Sequence, residues 1–298
     1  MEHSSSQPPA SSPTSLWQRL LGRDNRLFWI ASAAMLVVMA IWLTYTPNGL
    51  LGKADAIGYA VCHRITVRSF LFPDGRQLPM CARCSGTFLG VLVGLLAPGL
   101  IFRRRHAAAF PPLWIAGIML LMSAAWAFDG SNSFLHLIPG SNRFWLYEPN
   151  NFLRLLTGTA HGITMGSLIL PVVNATLWDD ASSEPTVANG WHLLGMYALG
   201  ALLMAGILSG LGVFLYPLGF LSAVGAATIL AAINVVIAAT VLRRENTAHT
   251  VVDALPLIFL GIALAFILVG AIDAMRYSVF HTWDGFVFPS AWLLAGLV

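Results

Sequence analysis

The sequence predicts an all-α fold, a polytopic transmembrane helix bundle of about seven spans. Of the 298 residues, 57% are apolar and 10% are charged, whereas soluble domains have about 45–50% and about 25%. The mean hydropathy is +0.74, and apolar stretches of about 20 residues, long enough to cross a bilayer, recur along the chain. This composition excludes a soluble enzyme and a disordered chain. A net charge of +3 is too small for a nucleic-acid-binding surface.

Seven apolar stretches are predicted to cross the bilayer as helices, because lipid offers no hydrogen-bond partner to an exposed backbone. Residues 286–298 are also apolar but short, so they are predicted to form either a partial eighth span or an interfacial tail. The predicted spans are Leu27–Tyr45, Cys84–Phe102, Leu113–Phe128, Phe152–Leu177, Trp191–Tyr216, Leu218–Leu242 and Val252–Ala274.

The chain divides into three predicted regions. Residues 1–26 are rich in Ser and Pro and end in a basic flank, so they are predicted to be a disordered N-terminus. Residues 27–178 form a membrane module that carries the Cys/His and Asp/Arg motifs described below. Residues 179–298 form a C-terminal transmembrane extension without an assigned role.

Basic residues predict the orientation of the bundle in a cell membrane. If seven spans alternate, three arginine groups fall on one side, which is therefore predicted to be cytoplasmic together with the N-terminus. The opposite loop, 46–83, carries five basic residues against this bias, which indicates that they serve a local task. The three groups are Arg19, Arg23 and Arg26; Arg103–Arg105; and Arg243–Arg244.

All three cysteines of the chain lie in residues 62–84. Cys62 is followed by His63, and 17 residues later Cys81 and Cys84 form a Cys-x-x-Cys pair. Three thiols and one imidazole are the ligand set of a closed tetrahedral zinc site. We therefore predict that Cys62, His63, Cys81 and Cys84 bind Zn²⁺, with nearby arginines offsetting the net negative charge of three thiolates.

Two other interpretations of the cysteines stay open. Cys81 and Cys84 are also spaced for a dithiol–disulfide pair that exchanges with Cys62, and a position at the start of a helix favours the thiolate of Cys84. Alternatively, one disulfide fastens the loop and the third thiol is unreacted. A single Cys-x-x-Cys pair does not distinguish these interpretations.

A second polar cluster is predicted on the same side as the cysteines, where the third span ends and the fourth begins. Asp129, Asn151 and Arg154 fall there, and we expect Asp129 to pair with Arg154 because ionisable groups in a span need a partner. Thr157 and His161 continue along the same helical face and are predicted to line a pathway. The alternative is that these charges are interfacial groups at helix ends.

Glycine spacing predicts that the second and fourth spans are neighbours. Small residues repeated every four positions let helix backbones approach closely in lipid. Both spans carry a triple repeat, and both begin with polar motifs, so we expect them to frame one site. The repeats are Gly86, Gly90 and Gly94, and Gly158, Gly162 and Gly166.

The motifs together resemble a known family over residues 57–175. Cys62-His63 precedes Cys81-Ala-Arg-Cys84-Ser-Gly at the mouth of a helix, and Asp129-Gly130 precedes Asn151-x-x-Arg154. This order is similar to that of an uncharacterised family of bacterial and archaeal predicted membrane proteins. The resemblance implies that both polar clusters belong to one module, and it implies no established activity.

The leading functional hypothesis is an outer-face zinc site beside an arginine-rich surface that binds an anionic lipid or a polyprenyl phosphate. One alternative is a quinone-linked thiol oxidoreductase that uses Cys81 and Cys84. A second is a transporter or channel subunit. Whether the protein is an enzyme stays open. The predicted anion- or substrate-binding residues are Arg64, Arg68, Arg83, Asp129, Asn151 and Arg154.

Overall fold

The structure is a computed structural model that describes residues 26–138 and 146–285. Within these residues the apolar stretches form helices, and two loops are joined by a pair of short strands. The helices are α1 Arg26–Tyr45, α2 Leu50–Val61, α3 Ala82–Leu100, α4 Leu113–Leu135, α5 Asn151–Leu177, α6 Gly190–Leu208, α7 Gly212–Val241 and α8 Val251–Phe280. The strands are β1 Ala107–Ala109 and β2 Ser182–Pro185.

Seven of the described helices are long and apolar enough to cross a membrane. They correspond to the seven predicted spans, so the all-α polytopic bundle is confirmed. The additional helix, α2, has only 12 residues and lies in the loop between α1 and α3.

The predicted boundary between the fifth and sixth spans is wrong. α6 ends at Leu208 because Gly210 adopts a left-handed conformation, with φ at 69°, which terminates the helix. α7 then begins at Gly212 and continues through Pro217. The break therefore precedes the proline.

Two spans are longer than predicted because their polar residues face protein. α4 continues past Asp129, which is 1% exposed, and ends at Leu135. α8 continues past Asp273 and Arg276, both of which are buried. Polar residues therefore do not mark the ends of these two helices.

The glycine repeats form a seam between α3 and α5, as the spacing predicts. A Cβ atom added to Gly94 would lie 2.5 Å from the Ile163 carbonyl oxygen, and one added to Gly166 would lie 2.5 Å from that of Val91. Only glycine fits at such distances. Within the most apolar part of α3, 56% of residues are buried, compared with 11% in α1. The seam is therefore the centre of the bundle, and α1 is peripheral.

The bundle has two faces, which we name by their residues. The cysteine face is the side where α3, α5 and α7 begin and where α1, α4, α6 and α8 end. The arginine face is the opposite side, where Arg103–Arg105 and Arg243–Arg244 lie in the connecting loops. There β1 pairs with β2 in parallel and joins the loop after α3 to the loop after α5.

Some predictions fall outside the described residues. They are the disorder of residues 1–25, the basic flank at Arg19 and Arg23, and the span or tail at 286–298.

Candidate functional site

The three cysteines lie together on the cysteine face. Cys62 follows the end of α2, Cys81 is the N-cap of α3, and Cys84 lies in the first turn of α3. Their three Sγ atoms all lie within 4.8 Å of one another. All are free thiols; Cys62 and Cys81 are buried, and Cys84 is half-buried. The loop 63–80 thus brings Cys81 and Cys84 back to the position of Cys62.

Backbone donors orient the sulfur of Cys62. The Arg64 N–H donates to Cys62 Sγ at 3.4 Å, and the Cys81 N–H donates to it at 3.3 Å. The first contact requires a tight turn, in which Arg64 adopts a left-handed φ of 51°. N–H donors stabilise a thiolate more than a thiol, so this arrangement suits a sulfur that carries negative charge.

The three thiols cannot all lose their protons without a compensating cation. Hydrogen bonds from Cys62 and Cys84 hold the pKa of Cys81 well below its ordinary value. The hydrogen bond to Cys81 raises the pKa of Cys62 to about 12, and burial contributes in the same direction. Proton loss is therefore easiest at Cys81, and a bound divalent ion would favour the thiolate form of all three cysteines.

His63 lies next to this group but is not a member of it. Its ring hydrogen-bonds with the Cys81 side chain, and its Nδ1 accepts the Ile65 N–H at 3.2 Å. The ring nitrogens do not belong to the set of ligand atoms that all lie within 4.8 Å. Of the four predicted zinc ligands, the structure thus brings the three sulfurs together and places His63 beside Cys81.

A cluster of charged side chains, here called the α5 cluster, flanks the cysteines; it consists of Arg68, Arg83, Asp129 and Arg154. The expected Asp129–Arg154 pair is wrong, because Asp129 forms its salt bridge with Arg83 of α3. The Tyr147 hydroxyl also donates to Asp129 Oδ1 at 2.7 Å. The carboxylate therefore lies between Arg83 of α3 and Tyr147 of the loop before α5.

Arg68 and Arg154 remain as buried cations, 6% exposed each. Within residues 26–138 and 146–285, neither forms a salt bridge. Arg154 donates to Asn151 Oδ1 at 2.8 Å, and its buried Nε has no partner. Burial, together with repulsion from Arg154 and Arg83, lowers the pKa of Arg68 to about 10. The α5 cluster therefore has an excess of positive charge close to the cysteines.

Asn151 connects this cluster to the cysteine loop. Its side-chain amide donates to the carbonyl oxygens of Val67 and Ser69, at 3.4 Å each. The same side chain accepts from Arg154. Asn151 thus orients the guanidinium of Arg154 toward the segment that carries Arg68.

Arg64 belongs to a different cluster, here called the α2 cluster, which consists of Asp55, Arg64 and Arg76. Arg64 contacts Asp55 at 3.0 Å and donates to the Trp283 carbonyl at 2.9 Å. Arg76 contacts the other oxygen of the same carboxylate. The structure therefore places Arg64 with Asp55 rather than with Arg68, Arg83 and Arg154, and its role in anion binding stays a prediction.

Asp55 and Arg276 belong to this region although no sequence motif includes them. Asp55 is the acidic residue of α2, and its contact with Arg64 depends on the folding of residues 50–61 as a helix. Arg276 of α8 donates to the Cys62 carbonyl at 2.9 Å, and its guanidinium lies 3.9 Å from the centre of the Tyr59 ring. No local pattern indicates such a contact between residues 214 positions apart.

The two residues predicted to line a pathway lie between α5 and α4. The Thr157 hydroxyl lies 3.4 Å from Asp129 Oδ2 and donates to the Leu153 carbonyl at 2.8 Å. His161 stacks on Trp126 with ring centres 4.2 Å apart, and its Nδ1 lies 3.0 Å from Ser123 Oγ. Both side chains are thus packed against the neighbouring helix.

Comparisons with known proteins agree with the motifs. Residues 62–168 match the family model described as "Predicted membrane protein (DUF2085)". Over 117 residues the chain is 32% identical to "Uncharacterized protein MJ1492" of Methanocaldococcus jannaschii, a match that covers 39% of this chain and 66% of that protein. No solved structure matches the chain. The resemblance to an uncharacterised predicted membrane protein family is therefore confirmed for this segment.

The matched segment contains the thiols and the whole α5 cluster. It begins at Cys62 and ends in α5, so Asp55 of the α2 cluster and Arg276 lie outside it. The chain is a multi-pass membrane protein whose family-like part is built around the α3–α5 seam.

Proposed function

We propose that this membrane protein binds one Zn²⁺ through Cys62, Cys81 and Cys84, and that the adjacent α5 cluster binds an anionic group such as a lipid or polyprenyl phosphate. The observation that carries the proposal is the mutual approach of the three Sγ atoms within 4.8 Å. In the proposed orientation the protein lies in the cell membrane with its N-terminus in the cytoplasm, and the cysteine face is the outer face.

The sulfur arrangement fits zinc. A tetrahedral ion with Zn–S bonds of about 2.3 Å separates its sulfurs by about 3.8 Å, so small shifts from the present positions would suffice. The N–H donors to Cys62 Sγ supply the outer hydrogen bonds typical of metal ligands. Three thiolates around the ion leave a net charge of −1, which the excess positive charge of the α5 cluster offsets.

The fourth position decides what the metal can do. If His63 binds the ion, the site is closed and has a structural role. If His63 only hydrogen-bonds to Cys81, the fourth position is available to a water or to the bound anion, and Lewis-acid chemistry is accessible. Zinc content in His63→Ala distinguishes these cases, because loss of an outer partner alone leaves most of the zinc in place.

Elemental analysis of the purified protein tests the metal. We expect close to one equivalent of zinc in the wild type and in the control variant Thr87→Ser, and less than a tenth of an equivalent in Cys81→Ser and Cys84→Ser. Absence of any transition metal from the wild type would overturn the metal proposal. A reducible Cys81–Cys84 bond in that metal-free sample would instead favour the thiol oxidoreductase.

Binding of phosphate groups tests the α5 cluster. Each charge-assisted hydrogen bond contributes about 1.5–3 kcal/mol, so Arg154→Gln should weaken binding at least about tenfold. Arg64→Gln is the matched control, because that arginine already forms a salt bridge with Asp55. Inorganic phosphate and undecaprenyl phosphate are compared as probes: equal binding assigns the site to the phosphate alone, and preference for the second assigns it to a lipid.

A further inference from the structure

A cavity of about 620 Å³ lies between α1 and α8, near the cysteine face. Its size is typical of sites that bind small molecules. Five aromatic side chains contribute to its wall: Trp42, Tyr45, Phe266, Tyr277 and Trp283. Ile41 and Tyr45 are 54% and 79% exposed on the peripheral helix α1, so the cavity is accessible from the lipid.

One buried carboxylate lies in this aromatic wall. Asp273 is 3% exposed, and its Oδ2 accepts the indole N–H of Trp42 at 3.3 Å. Its Oδ1 is buried and has no hydrogen-bond partner in the structure. Buried polar atoms are almost always paired, and each exception requires an explanation. A ligand that donates a hydrogen bond to Oδ1 would provide it.

Two aliphatic hydroxyl groups of the wall are already engaged with backbone carbonyls. The Thr46 hydroxyl donates to the Trp42 carbonyl at 2.7 Å, and the Ser278 hydroxyl donates to the Met275 carbonyl at 2.8 Å. Asp273 therefore offers an acceptor that the wall itself does not use. A ligand for this site needs one donor and an otherwise apolar body.

The charge balance favours a neutral donor. Arg276 lies one helical turn from Asp273 and interacts with it electrostatically, so the carboxylate does not require a cationic ligand. The aromatic wall favours a ring, because aromatic rings gain from offset or edge contacts with one another. A phenolic hydroxyl combines both requirements.

We propose that this cavity binds a lipid-soluble phenol of the hydroquinone class, whose hydroxyl donates to Asp273 Oδ1 and whose ring packs among the aromatic side chains. Trp42 belongs to the same hydrophobic cluster as Cys62 and Cys81, with Phe266 and Trp283 packed against it. The ligand would therefore contact the hydrophobic cluster to which Cys62 and Cys81 belong. The proposal does not rest on the metal, because it depends only on α1, α8 and the cavity between them.

Three probes of equal chain length test the proposal with the full-length protein in phosphatidylcholine nanodiscs. 4-Decylphenol has the ring and the donor, 4-decylanisole has the ring without the donor, and 1-decanol has the donor without the ring. Binding is followed by tryptophan fluorescence, since Trp42 and Trp283 line the cavity. We expect the phenol to half-saturate at a mole fraction about tenfold lower than the anisole, as one hydrogen bond to a buried, otherwise unpaired acceptor predicts.

Variants separate the carboxylate from the cavity. In Asp273→Leu the preference for the phenol over the anisole should disappear, whereas the control Asn234→Leu, a polar-to-leucine change on α7 outside the cavity wall, should keep it. Gly270→Leu should abolish binding of all three probes. Gly270 lines the cavity, and a Cβ there would lie in ordinary contact with Trp42 Cδ1 of the wall, at 3.6 Å, so a leucine side chain is expected to occupy the cavity.

Three results would overturn the proposal. They are equal binding of phenol and anisole to the wild type, a preference that survives Asp273→Leu, and decanol binding as tightly as the phenol. Gly270→Leu keeps the proposal testable if Asp273→Leu fails to fold, because unchanged phenol binding in that variant would also overturn it. Zinc content measured in the same samples shows separately whether the metal proposal holds.

Discussion

Two clusters of charged side chains flank the cysteines, and they differ in how their charges balance. In the α2 cluster one carboxylate, Asp55, contacts both arginines. In the α5 cluster three arginines share one carboxylate, and only Arg83 contacts it. In the first arrangement every arginine contacts the carboxylate, which fastens the loop after α2. The second retains two buried arginines without a salt bridge among the described residues, next to the thiols, so the contacts of the single carboxylate with its arginines distinguish the two clusters.

Removing the carboxylate charge of each cluster is expected to give the largest difference in the free energy of unfolding. Asp129→Asn leaves two buried guanidiniums and a half-buried one without a neighbouring carboxylate, and we expect the free energy of unfolding to fall by about 3–5 kcal/mol. Asp55→Asn should cost less, because the Arg76 side chain is 42% exposed and water solvates it. Denaturant unfolding in detergent, followed by circular dichroism, measures both. A larger loss in Asp55→Asn would contradict the comparison.

The glycine seam supports the α5 cluster and leaves the α2 cluster unaffected. Gly162→Ala would place a Cβ against the Thr87 carbonyl of α3, so we expect a loss of about 1–3 kcal/mol in the free energy of unfolding. Phosphate binding should weaken as well, because Arg154 moves with α5. Gly117→Ala is the control, since no atom lies within 4 Å of its added Cβ. Equal stability of the two variants would show that the seam tolerates a methyl group.

A tyrosine hydroxyl allows a finer comparison. Tyr147→Phe removes the hydrogen bond to Asp129, and we expect a loss of about 1 kcal/mol in the free energy of unfolding. Tyr216→Phe, whose hydroxyl lies 3.4 Å from the exposed Asp74, should have less effect. The same unfolding assay at constant ionic strength compares them, and equal losses would argue against a special role for the Asp129 network.

The pH dependence of Tyr147 has a defined sign. Burial and the hydrogen bond to Asp129 raise the pKa of Tyr147 from 10.0 to about 12. The folded state therefore keeps a phenolic proton that the unfolded state loses, and this contribution to stability decreases as pH rises from 10 to 12. The wild-type free energy of unfolding should fall more steeply in that interval than that of Tyr147→Phe.

The smallest effect on the free energy of unfolding is expected at Arg76, the exposed arginine of the α2 cluster. Arg76→Gln removes a half-exposed ion pair, which contributes at most about 1 kcal/mol. The loss should shrink further at high salt, because ions screen exposed charges. Unfolding measured at low and high sodium chloride tests this, and a loss independent of salt would indicate that Arg76 acts through packing.

The sequence sufficed for features that depend on local chemistry. The seven spans could be predicted from the lengths of the apolar stretches alone, since the thickness of the bilayer sets the length that a spanning helix needs. The seam follows from glycines spaced four apart, which share a helix face whatever lies opposite. The proximity of Cys62 to Cys81 and Cys84 could be predicted because all three thiols lie at the ends of one loop. The position of His63 could not, because it depends on the turn at Arg64.

Features that depend on helix rotation could not be predicted. Arg83 and Arg154 both lie near Asp129 once spans alternate, and only the packing of α3 against α4 decides in favour of Arg83. In sequence Arg64 resembles the other arginines, because its partner, Asp55, lies in a helix too short to resemble a span. Between the fifth and sixth predicted spans the structure breaks at Gly210 and continues as a helix through Pro217, because helices in membranes accommodate proline.

The α3–α5 seam has a consequence for motion within the bundle. Side chains that separate two helices can change rotamer and so absorb small displacements, but here backbone contacts backbone and no such adjustment is available. Sliding of α3 along α5 would bring the next glycine into register only after four residues, about 6 Å. The seam therefore allows no sliding of α3 along α5 by less than one glycine repeat. It thus fixes the positions of Cys81 and Cys84 along the helix axis relative to Arg154.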